Sequence, residues 1–413
     1  MSIRLLKFIQ LAAVAITVTA SSCAQPKPNG QHLRKGITVG AERLDTLLPM
    51  LSGKSLGIVA NHSSLIDSKH LIDSLLALGV KVERIYSPEH GFRGDGDAGE
   101  LIQNQIDSKT GLKVISLYGS KKKPSVADLE GIDIMLFDMQ DVGLRFYTYI
   151  STMHYVMEAC AESTIPFIVL DRPNPNGFFI DGPVLDTNFR SFVGLHPVPI
   201  VHGMTIGEYA TMINGEGWLT KGISCNLTII PCLNYTHDSI YEPPVPPSPN
   251  LPNMRSILLY PSLGFFEGTD ISIGRGTDFP FQMFGHPKLP KGSFHFTPES
   301  RVGASKNPPH LGKKCYGYDL RDYSVEFFAN QRSINLQWLL FAYSSFPDKN
   351  KFFNSYFKII SGTDILEKQI RQGLDADSIR KTWIESLEQF KKVRKKYLLY
   401  PDFSISHPLE IEK

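Results

Sequence analysis

The chain has 413 residues, 42% of them apolar and 20% charged, with a formal net charge of +2. That length leaves room for two domains, or one large one with an appendage, and the composition is that of a globular protein with a real core. Interspersed acids and bases at this balance exclude a nucleic-acid binder and a polybasic membrane patch.

The chain opens with Arg4 and Lys7, then an apolar run from Ile9 to Thr19 that is too short to span a bilayer. Thr19-Ala20-Ser21-Ser22-Cys23 places small residues directly before a cysteine, which resembles a bacterial lipoprotein signal. Residues 1–23 are therefore expected to export the chain to the periplasm and to anchor it to a bacterial membrane through lipid on Cys23. An ordinary secretory signal with an incidental Cys23 is the alternative. Residues 24–35, with Pro26, Pro28 and Gly30, read as a tether. The remaining cysteines, Cys160, Cys225, Cys232 and Cys315, form no CxxC pair. Cys225 and Cys232 either pair in an exported chain or stay as buried thiols.

From Gly36 strands alternate with helices. Ser55 to Ala60 is an apolar strand that runs out into Asn61-His62, and Leu71, Ile72, Leu75, Leu76 and Leu78 follow at helical spacing. Val80 to Tyr86 leaves at Ser87-Pro88-Glu89-His90-Gly91-Phe92-Arg93-Gly94, and Val114 to Leu117 leaves at Tyr118-Gly119. Ile132 to Phe137 ends at Asp138, and Asp141, Arg145, Tyr147 and Tyr149 precede a helical pattern through Ile150, Met153, Val156, Met157 and Cys160. Pro166 to Leu170 leaves at Asp171-Arg172-Pro173-Asn174-Pro175. Buried strands joined by helices predict an α/β fold, with a Rossmann-like, doubly wound and mainly parallel sheet over residues 36–252. The polar exits then share the carboxyl edge, where an open sheet forms its ligand crevice. No exit carries GxxxxGK[ST], and there is no GxSxG or HExxH, so chemistry without a cofactor is expected. The simpler reading is that Asp138 or Asp141 caps the following helix and that Arg145 pairs with it.

Beyond Pro175 the pattern loosens into short strand-and-turn pieces, and Thr205 reads as the N-cap of a helix through Ile213. His202 and Glu208 lie close enough in sequence to serve the site, or are structural. Residues 243–253, PPVPPSPNLPN, form either a linker or a stiff wall of the cleft. Ser256 to Tyr260 reads as a strand. Glycine-dense loops follow, with Glu267 in the first and Arg275 in the second; they hold backbone against a ligand or close a hairpin. The tail from Asp364 reads as two helices broken near Gly373, so residues 253–413 are expected to form a smaller α+β domain closing the cleft.

Taken together, Ser-Pro-Glu-His-Gly-Phe-Arg-Gly (87–94) with residues 97–100, the stretches 137–143, 145–149 and 170–175, Pro247-Ser248-Pro249-Asn250, Glu267-Gly268-Thr269 and Gly274-Arg275-Gly276-Thr277 resemble the exo-lytic β-N-acetylmuramidase (NamZ-type) family. The resemblance covers nearly everything from Gly36 onward. It implies a glycoside hydrolase that releases N-acetylmuramic acid (MurNAc) from the non-reducing end of peptidoglycan fragments such as MurNAc-GlcNAc. It also implies a Rossmann-like domain with a smaller second one and the cleft between them.

Glycoside hydrolysis ordinarily needs a protonated carboxylic acid at the leaving oxygen and a carboxylate that attacks or activates water. Glu89 is the expected acid, stiffened by Pro88, adjacent to His90 and near the apolar Phe92. Asp138 is the expected base or nucleophile, with Asp141 or Glu267 as the fallback. The lactyl carboxylate of MurNAc calls for guanidinium clamps, for which Arg93, Arg145, Arg172 and Arg275 are candidates. Tyr147 and Tyr149 suit the sugar face or its acetamido group, and Asn61, His62, Asn174 and His202 complete the expected binding set. Assistance by the acetamido group stays open, with Asp138 then an orienter. Two rival classes are a periplasmic sugar-acid binding lipoprotein without turnover and a metal-dependent amidohydrolase or deacetylase on His62, His90, Asp138 and His202.

Overall fold

The computed structural model describes residues 36–89, 91–93 and 105–404, all within one compact unit. The signal-like stretch with Cys23, the tether 24–35, His90, Gly94 and residues 97–100 lie outside the described residues.

Seven strands make the main sheet. The first strand, β1 (Ser55–Ala60), is buried along its whole length, because helices cover both faces of a central parallel strand. A two-residue hairpin, β2 (Leu65–Ile66) and β3 (Lys69–His70), follows its exit. Then come β4 (Lys81–Ser87), β5 (Gln105–Ile106), β6 (Lys113–Ser116), β7 (Ile134–Asp138), β8 (Phe167–Leu170) and β9 (Leu227–Ile230). The sheet order is β5-β6-β4-β1-β7-β8-β9, parallel except for the antiparallel edge strand β5. Successive strands extend the sheet first to one side of β1 and then to the other, so the order reverses between β4 and β7. That reversal is where an open α/β sheet leaves a crevice at its carboxyl edge.

The expected strands agree with these to within a residue or two. Thr205 caps the helix Ile206–Gly215 in a reciprocal box: Glu208 N–H donates to Thr205 Oγ1 at 3.2 Å, and Thr205 N–H donates to Glu208 Oε2 at 2.9 Å. Two expectations need correction. Ser256 to Tyr260 is not a strand; it lies in the helix Met254–Leu263, capped by Asn253, whose Oδ1 accepts from Ser256 N–H at 3.0 Å. The tail has three helices rather than two: Ile365–Arg371 and Ala376–Lys381 flank Gly373 (φ 78°), and Ile384–Arg394 restarts after Trp383.

The second half adds a three-stranded antiparallel sheet, β10 (Met283–His286), β11 (His295–Phe296) and β12 (Cys315–Asp319), in the order β10-β12-β11, and helices. The second glycine-dense loop closes a hairpin, with Ser272 N–H donating to Gly285 O and Gly285 N–H to Ser272 O, both at 2.8 Å, whereas the first does not. The first is a 3-10 turn, Gly264–Gly268, packed on the helix Tyr356–Ser361. A Cβ on Gly268 would lie 2.3 Å from Phe357 Cα, so only glycine permits that approach. The four cysteines of the described residues are buried and free.

Candidate active site

Three parallel strands deliver side chains to one hollow of ≈ 520 Å³. Glu89 follows β4, Tyr118 and Lys122 follow β6, and Phe146 to Tyr149 lead from β7 into the helix Tyr149–Glu162. The facing wall comes from later in the chain: Ser248, Asn250 and Leu251 of the proline-rich segment, Tyr260, Glu267, Arg275, Phe281, and Tyr356, Ile359 and Ile360. The segment 243–253 is thus a wall of the cleft. Its carbonyls are fixed in place: Pro247 O accepts from Tyr147 Oη at 2.8 Å and from Tyr149 Oη at 3.2 Å, and Pro246 O lies 2.8 Å from His62 Nε2.

Among the described residues, two carboxylates and one guanidinium share this hollow. Glu89 is half-buried, and its Oε2 accepts from Thr148 Oγ1 at 3.0 Å. Burial pushes the Tyr118 phenol well above its ordinary range, and the neighbouring Glu89 carboxylate adds to that. Across the cleft Glu267 Oε1 accepts from Arg275 Nη2 at 2.6 Å. Burial works against the Arg275 charge, but the Glu267 carboxylate outweighs it, so the guanidinium is held more firmly protonated than usual. Arg275 also sits 5.0 Å over the ring of Phe281. Burial, with contributions from Glu267 and Glu89, raises the phenols of Tyr260 and Tyr356, so both stay neutral donors. Tyr147 and Tyr149 meet edge to face at 4.6 Å and form the floor.

Several expected residues are elsewhere. Asp138 is fully buried and gives both oxygens to Arg172, at 2.6 Å from Nε and 2.9 Å from Nη2. Neither lines the cleft, so Asp138 is not placed as its base and Arg172 is not placed as a clamp. Their strands are parallel neighbours, and the two side chains leave the sheet together and neutralise each other. Asp141 is buried behind the tyrosines, with Oδ1 on Gly143 N–H at 2.6 Å.

Arg145 is also buried and pairs with no carboxylate among the described residues. It donates to the carbonyls of Pro183, Val198, Ile360 and Ser361 at 2.6–3.3 Å, tying the helix Tyr356–Ser361 to the first half. Burial pulls its guanidinium down to about 9, still charged at neutral pH. The simpler reading of the 138–149 stretch is corrected too, since neither Asp138 nor Asp141 caps the helix and Thr148 occupies the N-cap.

Arg93 makes a two-pronged pair with Asp107, at 3.1 and 2.9 Å, away from the cleft. Phe92 packs on His70 at 4.8 Å and does not line the cleft beside Glu89. Asn61 is a strut, donating to Tyr149 Oη at 2.7 Å. Asn174 donates to Met204 O at 2.8 Å, and His202 is buried, its imidazole pulled down to about 3 by burial and then by Arg394. Of the expected set, Glu89, Tyr147, Tyr149, Glu267 and Arg275 come together in the cleft. The residues passed over are Tyr118, Thr148, Asn250, Tyr260 and Tyr356. Tyr118 had a signal, as the first residue after a strand run, whereas Tyr356 lies in an aromatic stretch that reads as core.

A parallel α/β sheet with an acidic cleft at its reversal point, walled by later segments, defines a class of enzyme acting on a polar ligand. The chain belongs to the exo-β-N-acetylmuramidase NamZ family: the N-terminal family model matches residues 56–255 and the C-terminal one residues 258–400. It is 38% identical over 406 residues to the peptidoglycan β-N-acetylmuramidase NamZ of Bacillus subtilis (strain 168), covering 93% of this chain and 96% of that one. Two crystal structures of DUF1343 family proteins from Bacteroides fragilis NCTC 9343 share the fold. One has 48% identity and a TM-score of 0.83 over 89% of this chain and 99% of its own; the other has 30% and 0.68 over 88% and 99%.

Proposed function

We propose that the chain is an exo-acting glycoside hydrolase that releases MurNAc from the non-reducing end of peptidoglycan fragments. The observation that carries this reading is the meeting of Glu89, Glu267 and Arg275 in one cleft, in a chain of the muramidase family. Glu89, oriented by Thr148, gives its proton to the glycosidic oxygen as the C1–O bond breaks. Glu267, paired with Arg275, is the partner that attacks C1, activates water or steadies an assisting acetamido group. Nη1 of Arg275 is buried without a partner among the described residues and is a donor available for the lactyl carboxylate.

The amidohydrolase reading loses support, because Asp138 is committed to Arg172 and neither Asp138 nor His202 lines the cleft. Incubation with MurNAc-GlcNAc and para-nitrophenyl β-MurNAc is expected to release MurNAc. Glu89→Gln is expected to lower kcat by about 10²–10⁴-fold with binding kept. Wild-type protein that binds MurNAc but releases none from either substrate would establish the binding-protein alternative instead.

Export and lipid attachment at Cys23 are part of the same proposal, supported by Arg4, Lys7 and the small residues before Cys23. Labelled palmitate is expected to enter the wild-type chain but not Cys23→Ser; equal labelling of both would rule the anchor out.

A further inference from the structure

A buried polar atom without a partner is unfavourable, and folded chains keep few of them. Two residues on the wall of the cleft carry one each among the described residues: Arg275 with Nη1, a donor, and Asn250 with Oδ1, an acceptor. The lactyl carboxylate accounts for the first. Nothing yet accounts for the second.

Asn250 is only 3% exposed, and its amide cannot simply turn round. Nδ2 donates to the carbonyl of Ala304 at 3.0 Å, and the reversed amide would set two oxygens against each other. Its backbone is pinned as well, with N–H donating to Ser248 Oγ at 3.2 Å and the flanking Leu251 N–H donating to Ser248 O at 2.9 Å. The same cleft also presents apolar surface in Leu251, Tyr260 and Phe281, the two rings meeting edge to face at 4.6 Å. The site therefore asks for a ligand group that combines a hydrogen-bond donor with a small apolar end. A hydroxyl supplies the donor but no apolar end. An acetamido group supplies both, through its N–H and its methyl.

We propose that Asn250 Oδ1 accepts a hydrogen bond from the acetamido N–H of MurNAc, making Asn250 a specificity-determining residue for 2-acetamido sugars. The inference rests on the muramidase reading. MurNAc carries its acetamido group on C2 and its lactyl ether on C3, so a donor and an anionic acceptor leave adjacent ring carbons. The cleft wall holds the complementary pair, an acceptor on Asn250 and a donor on Arg275.

The test is calorimetric titration of the intact chain with MurNAc and with its 2-O-acetyl counterpart, in which an ester oxygen replaces the N–H. Wild-type protein is expected to bind MurNAc about 10–100-fold more tightly, because the ester turns a lone pair toward Oδ1. Asn250→Ala is expected to erase the difference between the two, weakening MurNAc while the ester, freed of the facing lone pair, holds or tightens. Equal weakening of both sugars would assign Asn250 a structural role and overturn the proposal. A wild-type chain that binds both alike overturns it without any variant, so a misfolded variant leaves the test intact. If that wild-type chain still releases MurNAc from para-nitrophenyl β-MurNAc, the hydrolase reading survives. If it neither binds nor releases MurNAc, both fall.

Discussion

Asp141 sits two residues before Gly143, whose N–H it accepts, and its Oδ2 has no partner among the described residues. Burial pushes its carboxyl from 3.8 up to about 7, against the pull of the Gly143 and Val142 N–H groups. The folded chain therefore keeps a proton that the unfolded chain releases between these two values. Stability from the neutral carboxyl is full below pH 3.8 and is lost as pH rises toward about 7. Asn mimics the neutral acid and does not titrate. The stability of Asp141→Asn minus that of wild type is expected to grow by a few kcal/mol between pH 5 and 8, at ~1.4 kcal/mol per unit. Urea unfolding at the two pH values checks this, and taking the difference cancels other titrating groups such as Asp171. A difference that stays flat with pH would mean Asp141 is ionised in the folded chain.

At the level of elements, the strands were legible because a parallel strand covered on both faces is a continuous apolar run, as in β1 and β7. The shared edge was legible for the same reason, since parallel strands all end on it. Which exit side chains face the ligand was not. Asp138 and Arg172 end neighbouring strands, and their pairing is set by register across the sheet, which neither local stretch encodes. Arg145 looked like a clamp for a carboxylate, yet its partners are carbonyls, two of them more than 200 positions away. Glu267 and Arg275 were legible because glycine-dense loops let backbone come close, and both reach the cleft. The run from Ser256 to Tyr260 misled because a short apolar segment fits a buried helix as well as a strand.

Across the whole molecule, one apolar core runs from Val59 to Phe390, through the position where the N-terminal family model gives way to the C-terminal one. The cleft is built the same way, with Glu89 before that position and Glu267, Arg275 and Tyr356 after it. Polar ties reinforce the join. Tyr400 donates to Asp171 Oδ2 at 2.5 Å, Leu399 N–H to Glu208 Oε1 at 2.8 Å, and Arg145 to Ser361 O at 2.6 Å. Halves so connected lose buried contacts together, so unfolding is expected as one transition. Trp218 reports the first half, and Trp338 and Trp383 the second. In urea, variants keeping either Trp218 or the later pair are expected to unfold at one shared midpoint, coincident with the loss of far-ultraviolet dichroism. Arg145→Met strands buried carbonyls, at ~1–3 kcal/mol for each group left unsatisfied. It is therefore expected to lower both midpoints together. Midpoints that separate between the two tryptophan variants would show two independent folding units, and the active cleft would then depend on how they dock.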